Sequence, residues 1–207
     1  MHEIASSHLQ PTDTESKKIK HGIGLIIMNR NGDIWTILEK KKRKEHARKP
    51  GERSIPFETK KNNETIEGTV MGALAEVCND NDIQILLNNL YCLRNIEKSV
   101  IKGFRTIKNL ECDYVVLYYD GDPKQLFQAL DQKEASYGKW THPNRLFGRK
   151  IRKYALETVR DIRDNKKFPA LFHIYQEAKI EGLLQLAFPQ SFSINNFYQQ
   201  RERGRDI

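Results

Sequence analysis

Apolar residues in this chain come in short bursts, and the interval between them changes along its length. Ile23 to Met28 is a compact apolar run, Asn29-Arg30-Asn31-Gly32-Asp33 is strong turn chemistry, and Ile34 to Leu38 is apolar again. That order predicts two strands joined as a hairpin. Ser54-Ile55-Pro56-Phe57 predicts a brief strand, with Pro56 suited to an edge or a loop entry. The interval then becomes helical: Ile66, Val70, Ala73, Leu74 and Val77 form one stripe and predict a helix from Thr65 to about Cys78. Thr65 is its expected cap, Glu67 suits the first turn, and Asn79-Asp80 is the expected stop.

Strands are expected at Leu90 to Ile96, Phe104 to Ile107 and Tyr114 to Tyr119, the last being the most β-like run in the chain. Asp120-Gly121-Asp122-Pro123 predicts a turn. A polar link over Ala135 to His142 is expected to lead into a helix from Pro143 to Arg163, with a final helix from Pro169 to Leu186. Residues 1–19 are polar and predict a mobile tail. Mixed strands around one helix, without regular βαβα alternation, point to an α+β fold of the layered α/β/α kind.

Composition narrows the class. With 35 Lys+Arg against 27 Asp+Glu the formal charge is +8, and the mean hydropathy is −0.69. Nine Phe, eight Tyr and two Trp are nonetheless too many for a disordered chain. No apolar run is long enough to span a bilayer, and the first twenty residues carry no apolar signal core. Cys78, Cys92 and Cys112 are odd in number and widely spaced, which suits a reducing cytosol better than a disulfide framework or a zinc ribbon, so a cytoplasmic protein is expected.

Two basic clusters stand out, Lys40 to Lys49 and Arg145 to Lys153. Either attracts phosphate, whether on a nucleotide or along a nucleic-acid backbone. The six histidines show no zinc-binding spacing, no GxSxG element is present, and no Walker or dinucleotide glycine loop occurs. Trp35 and Trp140 read as core anchors.

The segment from Ser54 to Asp80 resembles the Nudix box. That box is a Gly, five residues, a Glu, seven residues, and then R-E-U-x-E-E-x-G-U with U aliphatic. Aligned without a gap, Glu58 stands at the first Gly, Glu64 at the first Glu and Gly72 at the Arg. Ala73, Leu74, Ala75, Glu76, Val77, Cys78, Asn79 and Asp80 follow. Glu64, Leu74 and Glu76 agree with the pattern. Flanking features extend the likeness over about residues 20–162: Ile55-Pro56-Phe57-Glu58 stands where the family has a leucine-Pro-Gly-Gly run, and Leu38 to Arg43 resembles its strand ending in a basic pair. Glu134 to Pro143 resembles the acidic-then-Trp segment before its last helix.

The resemblance implies a Nudix-like α/β/α sandwich with a mixed sheet over residues 20–163, preceded by the tail and followed by a helical C-terminal extension over 164–207. It also implies a ligand in which a diphosphate links a nucleoside to another group. Family members hold divalent cations on helix glutamates, and here two of those positions are Ala73 and Val77, leaving Glu76 as the one metal-ligand candidate. Binding of a nucleotide-type ligand without efficient hydrolysis is the first expectation. Arg43, Lys44, Glu58 and Glu134 are its candidate ligand contacts, and Glu76 with Glu64 the candidate catalytic pair. An active pyrophosphohydrolase with rearranged carboxylates Glu58, Glu64 and Glu76, using magnesium or manganese, is a second. A basic adaptor for nucleic acid or protein, engaging nucleic acid through loop 40–49, is a third. Leu171, Ile174, Tyr175, Ala178 and Leu183 at helical spacing allow a homodimer or packing back onto the domain.

Overall fold

The computed structural model describes residues 20–40, 51–101, 106–107, 110–127, 135–146, 151, 155, 160, 167–188, 192, 195 and 197–199. The proposed tail 1–19 and residues 41–49 of the proposed basic loop 40–49 lie outside them. The hairpin forms as expected: β1 (Lys20–Asn29) pairs antiparallel with β2 (Ile34–Glu39), with Met28 opposite Ile34. The Asn29 side chain closes the turn, its Oδ1 accepting from the amides of Asn31 at 2.9 Å and Asp33 at 3.0 Å. Short strands β3 (Arg53–Ser54) and β4 (Phe57–Thr59) flank Pro56, which lacks the amide needed to continue one ladder through both.

Helix α1 (Ile66–Ala75) is capped by Thr65, whose Oγ1 accepts from the Gly68 amide at 3.1 Å. It stops three residues short of the expected end at Cys78. Asn79-Asp80 does not merely terminate it. Asn79 caps a second helix that the sequence reading missed, α2 (Asp80–Asn89), by accepting from the Asp82 amide at 2.8 Å. Ile83, Leu86 and Leu87 are its buried stripe.

Strand β5 (Leu90–Leu93) is shorter than expected because Arg94 adopts a left-handed φ of 59° and Ile96–Ser99 turns as a 3₁₀ helix. Next come β6 (Val100–Ile101), β7 (Thr106–Ile107) and β8 (Leu110–Tyr119), longer than expected at its start. The expected polar link is instead strand β9 (Ala135–Thr141), which places Trp140 opposite Trp35 on β2. Gly138 permits that pairing, since a Cβ there would lie 2.4 Å from the Trp35 indole nitrogen. The helix expected from Pro143 to Arg163 opens as α3 (Pro143–Leu146), and Ala155 and Arg160 are also helical, most of the rest of that span lying outside the described residues; α4 (Lys167–Ile180) follows. Gly182, at a φ of 67°, ends the helical segment, and Leu184–Leu186 is strand β10 rather than the end of a helix.

All ten described strands share one mixed sheet, with the central order β10-β5-β8-β1-β2-β3 and β1 running parallel to β8. Alternation along β1 divides two cores: Ile23, Leu25 and Ile27 join α1, α2 and both tryptophans, whereas Ile26 and Met28 join Tyr118 and Tyr175 beneath α4. Strand β10 ties the C-terminal segment to β5, and Phe188, Phe192, Phe197 and Tyr198 continue the first core. Helices on both faces of a mixed sheet give the α/β/α sandwich expected from the sequence. Among the described residues no helix is long and apolar enough to cross a membrane.

Candidate ligand site on the β4–α1 segment

Strand β4 enters the segment by pairing with β1, where Glu58 lies opposite Ile23. The Phe57 ring lies over Gly22; a Cβ on Gly22 would come within 2.3 Å of the ring tip, so the absence of a side chain there is required. Where the resemblance expects a glycine pair on the loop, this chain carries bulk, and the glycine sits on the neighbouring strand instead.

The loop after β4 turns at Asn63, whose φ of 62° is one that Asn tolerates. Glu64 braces this turn: its Oε2 accepts from the Lys61 amide at 3.1 Å, and the Thr69 hydroxyl lies 3.2 Å from the same oxygen. A carboxylate just before a helix N-terminus is also favoured by the helix dipole. Glu67 adds a second carboxylate in the first turn.

At the other end of α1, Glu76 is the C-terminal cap, half-buried, with its amide donating to the Gly72 carbonyl at 3.1 Å. The other two aligned positions lie in the core: Ala73 on α1 is 0% exposed and Val77, in the turn that follows it, 4%. From Glu64 to Glu76 the helix rises about 1.5 Å per residue, or roughly 18 Å over twelve residues. The two candidate catalytic carboxylates therefore sit at opposite ends of α1. Among the described residues no three His, Cys, Asp or Glu side chains converge to hold a metal. The divalent cation that the resemblance implies does not fit this donor set, since two of the three helix positions present methyl groups packed in the core.

Beside the start of α1 lies a cavity of about 220 Å³, walled by Ile23, Ile66 and Val100, with His21, Lys60 and Asp113 among its polar residues. His21 Nδ1 also lies 3.4 Å from Glu111. None of these polar residues was singled out from the sequence. Parallel β1–β8 pairing sets Ile23 beside Asp113, a proximity that no local pattern signals. The candidate contacts Arg43, Lys44 and Glu134 lie outside the described residues. Behind the site, burial pushes the Cys78 thiol well above its usual pKa and the Cys92 thiol up to about 11, so neither supplies a nucleophile.

No protein-family model matches the sequence, and no curated protein matches it. Similarity does emerge at the level of solved structures. The chain is similar to DR0079 from Deinococcus radiodurans, with a TM-score of 0.50 and 16% identity over 74% of this chain and 89% of that one. It is also similar to the Nudix hydrolase RenU from M. smegmatis, with a TM-score of 0.49 and 9% identity over 73% and 86%. A C. elegans Ap4A hydrolase aligns with a TM-score of 0.49 and 14% identity over 73% and 98%. The fold is Nudix-like. In this Nudix-like frame the hairpin, the β4–α1 segment and the mixed sheet fall in the order that the sequence resemblance implies.

Proposed function

We propose that this Nudix-like domain binds a nucleotide or a nucleoside-diphosphate-linked ligand without hydrolysing it efficiently. One observation carries the reading: Ala73 on α1 and Val77 just beyond it, where the resemblance expects carboxylates, are buried in the core, so Glu76 is the one carboxylate among the three aligned positions. The Nudix-like fold and the basic run from Lys40 to Lys49 supply the ligand class, with Arg43 and Lys44 as phosphate contacts and Glu58 as a contact at the edge of β4. Glu64 acts in this reading as a brace of the loop rather than as a base.

The test is phosphate release from a panel of nucleoside-diphosphate-linked compounds with magnesium or manganese, run on the native chain and on Glu76→Gln, alongside calorimetric titration of the same compounds with and without a chelator. Saturable binding that survives chelation, with no metal-dependent turnover by either protein, is the expected result. Metal-dependent turnover that Glu76→Gln abolishes would instead establish a hydrolase with a rebuilt site.

A further inference from the structure

The opposite end of the hairpin carries a different chemistry. A cleft of about 470 Å³ is lined by Asp33, Lys139, Trp140, Thr141, His142 and Arg145, where the β1–β2 turn meets the end of β9. The β4–α1 site begins beside Gly22, whereas this cleft lies beyond Asn29 at the other end of β1. Seven residues of strand separate the two, roughly 23 Å at about 3.3 Å per residue.

The cleft walls are fixed from behind. The Trp140 indole N–H donates to the Pro123 carbonyl at 2.9 Å, and its ring packs on Tyr119 with centroids 5.5 Å apart. The Thr36 hydroxyl donates to the Lys139 carbonyl at 2.9 Å and lies 3.3 Å from the buried Thr141 hydroxyl. His142 is held by its own turn: its Nδ1 accepts from the Asn144 amide at 3.3 Å, and its carbonyl accepts from the Arg145 amide at 2.9 Å. An accepting Nδ1 leaves the neutral ring's proton on Nε2, which makes that nitrogen a donor. Asp33 is set by its amide on the Asn29 side chain at 3.0 Å.

Two cations and one imidazole donor thus share a cleft with a single carboxylate. Among the described residues neither Lys139 nor Arg145 is ion-paired. We propose that this cleft is an oxyanion site for the phosphate or diphosphate of a small ligand, separate from the β4–α1 site. Arg145 offers a planar fork that matches two phosphate oxygens, Lys139 a point charge, and His142 a ring N–H donor. Asp33 offers an acceptor to a hydroxyl beside the phosphate, and it limits how much negative charge the cleft tolerates. A small phosphorylated, hydroxyl-bearing molecule fits these four groups better than a continuous nucleic-acid backbone, which Asp33 would repel.

The probes are inorganic pyrophosphate and glycerol phosphate, titrated into the full chain and followed by calorimetry and tryptophan fluorescence. Trp140 lines the cleft and Trp35 does not, so occupation of the cleft is expected to change the Trp140 emission. Saturable binding is expected, weakened at least tenfold in Arg145→Ala and in Lys139→Met and unchanged in Lys20→Met, which removes an exposed cation at the start of β1. Arg145 is exposed, and circular dichroism confirms that each variant is folded before titration. No saturable response from the native chain, or an equal response in Arg145→Ala, overturns the proposal. So does binding of a short single-stranded RNA that outcompetes pyrophosphate and collapses steeply with salt, since that signature belongs to a backbone-following surface.

Discussion

The two ends of strand β1 teach opposite lessons about where chemistry resides. At its start, the β4–α1 segment forms a loop and a capped helix: Thr65 caps α1 and Glu64 holds the turn. Its inward face is ordinary core, with Ala73 and Val77 buried beside Leu74. At its end, the Asp33–Arg145 cleft draws Asp33 from the hairpin turn, Lys139 to His142 from the acidic-then-Trp segment and Arg145 from the second basic cluster, gathering two cations, an imidazole and a carboxylate around an open space. A helix can pack soundly with methyl groups where a motif expects carboxylates, and charge can converge from segments that no single motif joins.

Putting the chemistry back breaks this comparison most sharply. Ala73 has no exposed surface, so Ala73→Glu buries a carboxylate without a partner and should destabilise the domain by about 3 kcal/mol or more. Urea unfolding measures the cost, and adding magnesium tests for rescue. A variant as stable as the native chain, or one that magnesium restores, would mean that α1 retains an accessible metal face and that the first end of β1 has been misread.

How much of this was legible in the sequence follows from which forces were local. The hairpin announced itself through Asn29 to Asp33, and α1 through its stripe and Thr65, because periodicity and capping are written in neighbouring residues. Helix α2 was missed because Asn79-Asp80 reads equally as the stop of one helix and the start of another, and only burial of Ile83, Leu86 and Leu87 decides between them. Strand β9 was missed because Ala135 to Thr141 is polar and contains glycine. Its extended form comes from pairing with β2, where Gly138 makes room for Trp35. Strand β10 follows the same rule, since β5 recruits Leu184 to Leu186 after Gly182 turns the chain. That Ala73 and Val77 carry no carboxylate was readable residue by residue. The cavity beside Ile66 and the cleft beside Trp140 were not, because each is assembled across strands far apart in the chain.

A second test asks whether the bulk at Phe57 and the glycine on β1 form one packed unit. Gly22→Ala drives a methyl into the Phe57 ring and should cost about 1–3 kcal/mol. Phe57→Ala opens that space, so the double variant should be more stable than the sum of the single costs predicts, with a coupling of about 0.5–3 kcal/mol. Strict additivity in the unfolding midpoints would show that the two residues do not share the contact described.

The smallest expected effect bears on what the retained glutamate does. Glu64→Ala removes an acceptor from the Lys61 amide and the Thr69 hydroxyl and should cost about 1–2 kcal/mol. Glu64→Gln keeps an oxygen acceptor but gives up the charge beside the α1 N-terminus, so a smaller loss of about 0.3–1 kcal/mol is expected. Chemical denaturation of both variants at low and high salt separates the two contributions, because the dipole term is screened and the hydrogen bonds are not. If both substitutions leave stability unchanged, the brace is not what holds Glu64 in place. A purely structural role would then lose its support, and a reacting role for this carboxylate would have to be reopened. If Ala is costly and Gln nearly neutral, the glutamate holds the turn by its oxygen alone, and the loop's geometry at the start of β1 accounts for its place there.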